Sequence, residues 1–337
     1  MIGRGACPPN RTPAARAVLG THALGSPAGR RCRRPAATAP DLSLPGQLES
    51  SPWRSALLAP STVRPATDPA ALPPGHARLR AELVAGRSAF VERSARSPLR
   101  LLCPANAGSA AWAYTSSLGG GLVDGDDVRL AVSVGAGAQA LVTTQGSTKA
   151  YRGTARQAVV CDVAAGGLLA LLPDPLVAFA GARVSSLIDA DLAPGATLVA
   201  VDALEAGRVA AGERWAAASC DVRVRVRVDG RAVLDDGLLL DAAHGSVARR
   251  MGAFDGWATV VLLGPLAAAA AADLLAAERP AHRIAPGVAF LDVVSPLAGG
   301  CLVRIAARTP AVLAERVALA TACVAGIVGD HPSTRRF

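Results

Sequence analysis

From His76 onward apolar and polar residues alternate in short runs, Arg78–Val84, Ser88–Ser94, Leu99–Leu102 and Ala110–Ser116, parted by Gly, Pro or Ser. A period of two over such lengths predicts half-buried strands, and their close spacing predicts an all-β body. Val128, Leu130, Val132 and Val134 then alternate with Asp127, Arg129, Ala131 and Ser133, and a further strand is predicted from Gln139 to Thr144. The pattern repeats. Val134-x-x-Gly137-Ala138, Val163-x-x-Gly166-Gly167 and Leu192-x-x-Gly195-Ala196 each precede an apolar strand, with their glycines 29 residues apart. Fixed spacing of this order is produced by stacked units, each too small to bury its apolar face alone. The expected fold is mainly β, with stacked antiparallel sheets in an elongated, β-solenoid-like body.

Val222 to Val228 interleaves with Arg223, Arg225 and Arg227 before Asp229-Gly230, which predicts a hairpin with valine inside, arginine outside and a type I′ turn. Such a charged face discourages edge-to-edge association or forms a binding stripe. Helices are predicted late. Pro265 opens one over Leu266–Glu278, and Thr309-Pro310 caps and opens another reaching about Val328. Strands Val288–Val294 and Cys301–Ala307 lie between them, so the chain ends in a small α/β element of about two helices.

Composition changes this picture in three places. Aromatics are 3% against 51% hydrophobic, so the core is built from Ala, Val and Leu. Residues 1–75 hold 13 of the 24 prolines, and nine arginines against Asp41, Glu49 and Asp68, with no apolar period. They read as a disordered Arg/Pro-rich extension to a β-rich domain over 76–337, and a native start near Val63 or Val84 is expected. That extension carries most of the net charge of +9, so the remainder, poor in stacking aromatics, gives little support for nucleic-acid binding. The seven cysteines (7, 32, 103, 161, 220, 301, 323) form no Cys-x-x-Cys pair, which favours a reducing, cytoplasmic compartment and argues against a zinc knuckle. The apolar run Trp257–Ala272 is broken by Gly264-Pro265 and is too short for a membrane span.

Candidate chemistry concentrates in a few stretches. Gly119-Gly120-Gly121 and Gly125-Asp126 mark tight turns, and Thr143-Thr144-Gln145-Gly146-Ser147-Thr148-Lys149 ends on the only lysine among 35 basic residues. This loop either holds an anion or a partner's carboxylate through backbone N–H groups and Lys149, or caps strand-end backbone while Lys149 is solvated. No Walker order is present. Asp174 is held between Pro173 and Pro175, and Glu213 lies in Gly212-Glu213-Arg214-Trp215. Each is a local cap or ion pair, with Arg183 and Arg208 as available partners, or a functional acid. The five histidines (22, 76, 244, 282, 331) lack metal-ligand spacing; His244, in a turn, is the best placed.

The glycine-aspartate turn followed by Thr143-Thr144-Gln145, Thr148-Lys149 and Tyr151-Arg152 resembles the urease accessory protein family UreD, also called UreH. Leu172-Pro173-Asp174-Pro175-Leu176, Phe179-Ala180-Gly181-Ala182-Arg183, Gly207-Arg208 and Gly212-Glu213-Arg214-Trp215 follow in the order that the family shows. Asp124 departs from the pattern, where a small residue is expected. The resemblance implies a β-rich, non-enzymatic scaffold for maturation of the nickel enzyme urease, docking on apo-urease and binding UreF, which recruits the GTPase UreG. GTP would be used by UreG alone and no cofactor held tightly, with nickel in transit. On that reading Asp174 and Glu213 line a polar interior route, since carboxylate oxygens suit a divalent cation in passage. Two alternatives stand beside it: a β-solenoid carbohydrate-active enzyme using Asp174 and Glu213 as its paired acids, and a purely structural interaction protein.

Overall fold

The computed structural model describes residues 72–105, 108–277 and 287–329. A hairpin of β1 (His76–Val84) and β2 (Arg87–Ala95) leads into β3 (Leu99–Leu102) and β4 (Ala111–Ser117). The chain then coils. Strands β5 (Asp127–Val134), β6 (Gln139–Thr144) and β7 (Thr148–Ala150) are followed by β8 (Gly153–Val163), β9 (Leu168–Leu172) and β10 (Leu176–Ala178), then by β11 (Ala182–Leu192) and β12 (Thr197–Glu205). A second hairpin, β13 (Ser219–Val228) and β14 (Arg231–Asp241), precedes helix α1 (Val247–Met251) and β15 (Gly256–Leu263). Helix α2 (Ala268–Ala276), β16 (Phe290–Leu297), β17 (Gly300–Ala307), α3 (Pro310–Ala320) and α4 (Cys323–Val328) complete the order.

These strands make two facing sheets, β14-β13-β11-β8-β5-β1-β2 and β16-β17-β15-β12-β9-β6-β4-β3, with β7 and β10 attached to the second. The stacking is solenoid-like, as expected. Gln139 is in register with Leu168 and Leu168 with Thr197, the same 29-residue spacing that the glycine turns show. Gly137, Gly166 and Gly195 have φ of 67°, 68° and 80°, and turn stacks on turn: Gly137 N donates to Ala165 O and Gly166 N to Gly195 O, each at 3.2 Å. A residue with a Cβ resists this left-handed conformation, which is why glycine marks the period.

Strand direction departs from the expected antiparallel layers. β5, β8, β11 and β13 pair in parallel, as do β4, β6, β9 and β12. Each coil returns the chain to the same edge running the same way, so coil on coil can pair only in parallel. Antiparallel pairs are confined to the ends, where hairpins and β15 to β17 reverse the chain.

The two sheets bury different faces. One core lies between them, built from residues such as Val132, Cys161 and Ile188 on one side and Val142, Leu171 and Leu198 on the other. A second core fills the opposite face of the longer sheet, where Trp112, Leu141, Val199 and Val260 meet Leu313, Val324 and Val328 of the helices. Strands covered on both faces read as unbroken apolar runs, and all five residues of β9, LLALL, are buried. In the shorter sheet, Val222, Val224 and Val226 of β13 are buried and the arginines between them point outward, as expected. The β13–β14 turn has φ of 51° at Asp229 and 73° at Gly230, the signs of a type I′ turn. Arg227 bonds Asp189 and Asp191, and Arg223 and Arg225 lie near Asp235, so this stripe is a paired ionic face.

The expected helix after Pro265 begins as a 3-10 turn, Pro265–Ala267, before α2. The expected single helix from Pro310 to Val328 is broken into α3 and α4. Thr321 is buried there, and both its N–H and its Oγ1 donate to Val317 O, at 3.0 and 2.9 Å, a doubled bond of the kind that bends a helix. Trp257–Ala272 is divided between β15, a turn and the start of α2, and no helix among the described residues is long and apolar enough to cross a membrane. The expected disorder of residues 1–75 falls, but for its last four residues, outside the described residues, as do Cys7, Cys32, His22, His282 and His331.

Candidate functional site

The Thr-Thr-Gln segment is a strap between coils, and each of its residues bonds a neighbouring coil. Thr143 Oγ1 donates to Leu172 O at 2.6 Å. Thr144 Oγ1 donates to Asp174 Oδ2 at 3.0 Å and accepts from Asp174 N at 2.8 Å. Gln145 N donates to Thr115 O at 2.9 Å on the other side, and Thr148 N donates to Pro175 O at 3.2 Å. The strap therefore fixes the Pro173-Asp174-Pro175 turn, which interrupts the covered strands between β9 and β10. Gly121 makes room beside it: a Cβ there would meet Lys149 O at 2.2 Å. Lys149 is exposed, and Leu122 N donates to its carbonyl at 2.7 Å. Asp124, the departure from the family pattern, caps Thr154 N at 2.7 Å, and its side chain packs on Gly153.

Behind the strap is a cavity of about 330 Å³, walled by both sheets. Asp174, Asp202, Thr144, Gln157, Ser186 and Lys149 supply polar groups to an otherwise aliphatic lining that includes Leu171 and Ile188. Asp174 is 8% exposed, held by an uncharged hydroxyl. Burial, followed in effect by Asp236, pushes Asp202 up to about 7. Asp236 reaches in from β14, and Arg304 Nη2 donates to its Oδ1 at 2.6 Å. Burial and then Asp174 raise Glu205. The sequence reading missed Asp202 and Glu205. Asp202 had a signal, because it shares the inward parity of Leu198 and Ala200, making it an acid at a core position of β12.

Glu213 lies elsewhere. Arg208 donates from Nε to its Oε2 at 2.9 Å and pairs with Oε1, and Ala180 N donates to Oε2 at 3.3 Å. Bonding to Arg208 holds Glu213 below the usual carboxylate range. The Arg208 guanidinium sits 4.6 Å over the Phe179 ring, and Phe179 meets Tyr151 edge to face at 5.3 Å. Tyr151, Phe179 and Arg208 thus stack at one corner of successive coils. Gly207 permits this approach, since a Cβ there would lie 2.7 Å from Ala178 O and 2.9 Å from Glu213 O. Trp215, with φ of 51°, donates from Nε1 to Phe254 O at 2.9 Å, and Arg214 pairs with Asp255. Gly181, with φ of 74°, turns the chain beside Arg152.

The expectation that Asp174 and Glu213 line one route is therefore met by two separate placements: Asp174 lines the cavity, and Glu213 stands outside that lining with Arg208 as its ion-pair partner. Of the two acids proposed as a glycosidase pair, only Asp174 lines this cavity. Arg183 is exposed and Arg208, not Arg183, partners Glu213. His244 is exposed in a short turn, and among the described residues no three His, Cys, Asp or Glu side chains gather in a metal-ligand group. What the cavity offers chemically is the carboxylate of Asp174 and the protonatable one of Asp202, with hydroxyl and amide groups and the amine of Lys149 around them.

Comparison with known proteins agrees with the motif order. The family model described as UreD urease accessory protein matches residues 73–337. A protein of Sorangium cellulosum (strain So ce56) named urease accessory protein UreD is 50% identical over 257 residues, covering 75% of this chain and 81% of its own length. One of the same name from Anaeromyxobacter sp. (strain Fw109-5) is 44% identical over 271 residues, covering 77% and 89%. Urease accessory protein D of Oryza sativa subsp. indica is 36% identical over 196 residues, covering 56% and 64%.

Proposed function

The chain belongs to the UreD family of urease accessory proteins, which supports a role in urease maturation, and from that premise we propose that it is a docking scaffold through which nickel reaches the enzyme. In this reading it docks on apo-urease and binds UreF, and UreG is recruited through UreF. GTP is hydrolysed by UreG, and the scaffold itself makes and breaks no covalent bond. The complex works in the cytoplasm.

The observation that carries the reading is the Asp174 carboxylate, fixed on a proline-bounded turn in the wall of the cavity between the sheets. A divalent cation entering such a space exchanges part of its hydration shell for hydroxyl, amide and carboxylate oxygens. One fixed carboxylate attracts the ion without assembling the full coordination set that would retain it. Glu213 contributes from outside by pairing with Arg208, which holds the loop at the corner next to β10. The test is urease activation in cells making the full set of maturation proteins, read as the nickel content of purified urease. Asp174→Asn lowers it while urease subunits still accumulate. Nickel content equal to that with the unmodified chain contradicts the route.

A further inference from the structure

We propose that Thr144 is a positioning residue that sets the direction in which the Asp174 carboxylate faces the cavity. The inference rests on the reading of Asp174 given above and adds the group that orients it. Three observations lead to it. Proline on either side of Asp174 supplies no N–H, so the only backbone donor of the Pro173-Asp174-Pro175 turn is the N–H of Asp174 itself. That N–H donates to Thr144 Oγ1 at 2.8 Å, and the same hydroxyl donates onward to Asp174 Oδ2 at 3.0 Å. One hydroxyl thus holds both the backbone and the carboxylate of a single residue, closing a small ring that restricts the rotation of the side chain.

The neighbours of Thr144 keep the hydroxyl in place. Thr143 bonds the carbonyl of Leu172 at 2.6 Å, and the backbone N–H of Gln145 bonds Thr115 at 2.9 Å in the preceding coil. Thr144 is therefore clamped on both sides, with its hydroxyl aimed at Asp174. Positions that orient a ligand or an acid without touching the cargo typically change affinity or activity by about 10- to 100-fold when removed. Valine has the shape of threonine without the hydroxyl; serine keeps the hydroxyl.

The experiment uses the full chain with all maturation partners, in four variants: Thr144→Val, Thr144→Ser, Asp174→Asn, and Thr144→Val with Asp174→Asn. Nickel in purified urease is normalised to the amount of scaffold accumulated. The expected result is a loss of roughly tenfold in Thr144→Val, near-normal loading in Thr144→Ser, and no further loss when Thr144→Val is added to Asp174→Asn. Normal loading in Thr144→Val with impaired loading in Asp174→Asn overturns the positioning role alone. Further loss in the Asp174→Asn background also overturns it, because a hydroxyl that only stabilises the fold acts whether or not the carboxylate is present. Normal loading in Asp174→Asn removes the underlying reading, and the inference with it.

Discussion

Asp174 and Glu213 each occupy a short motif rich in Gly or Pro, in successive coils, and they end in opposite circumstances. Asp174 is turned into the cavity and bonded by the neutral hydroxyl of Thr144. Glu213 is turned to the outer corner and bonded by the Arg208 guanidinium, which itself lies on Phe179. The difference teaches that partner type decides what a carboxylate can offer. The Arg208 guanidinium brings an opposite charge to Glu213, which then fastens a loop, whereas the Thr144 hydroxyl bonds Asp174 in the cavity wall and brings no charge of its own.

The comparison can be broken or sharpened by substitution. The largest effect on stability is expected at the corner. Gly207→Val places a branched side chain where φ is 88° and a Cβ would lie 2.7 Å from Ala178 O, and should destabilise by at least about 3 kcal/mol in urea unfolding. A near-neutral result would mean that the corner rearranges freely. Next comes the cavity's second acid. Folding raises Asp202 from its ordinary 3.8 to about 7, so the native state binds its proton more tightly than the unfolded chain does. Stability should then fall as pH rises from about 4 to about 7 and level off above, and Asp202→Asn should flatten that slope and add roughly 1–3 kcal/mol at pH 8. An unchanged pH profile in the variant would show that Asp202 is not the group responsible.

Phe179→Leu removes the edge-to-face partner of Tyr151 and the platform under Arg208, and should cost about 1 kcal/mol of stability, with nickel loading preserved. Loss of loading out of proportion to stability would place the corner on the route after all. The smallest effect is expected from Glu213→Gln. Its depressed folded pKa has the opposite sign to that of Asp202: stability is present above the ordinary value of 4.5 and lost as pH falls through the folded one, so at neutral pH only the exposed pairing with Arg208 changes. A thermal melt should shift little at pH 7.

Much of the fold was legible because glycine is costly to replace where φ is positive. Gly137, Gly166 and Gly195 marked the period of 29, and the strand registers keep it. Strand direction was not legible, since alternation reports which face is buried and says nothing of which way a neighbour runs. The break at Thr321 falls at a buried hydroxyl that adds a bond to Val317 O, a local contact that a helical period does not report. The site was half legible. Asp174 stood out by its flanking prolines, yet its link to Thr144 exists only through coil register, in which Thr143 pairs with Leu172. Applying the 29-residue offset to the Thr-Thr-Gln segment would have set Thr144 beside the proline-bounded turn. Asp202 was overlooked because one acid in an apolar strand matches no motif, although its parity with Leu198 and Ala200 pointed inward.

The most direct test sets the two acids against each other in one assay. In cells making urease and all maturation partners, purified urease from the Asp174→Asn strain should hold roughly tenfold less nickel than that from the Glu213→Gln strain, with scaffold levels equal. Equal nickel in the two, or the greater loss with Glu213→Gln, would contradict the claim that the cavity behind the Thr-Thr-Gln strap carries the ion.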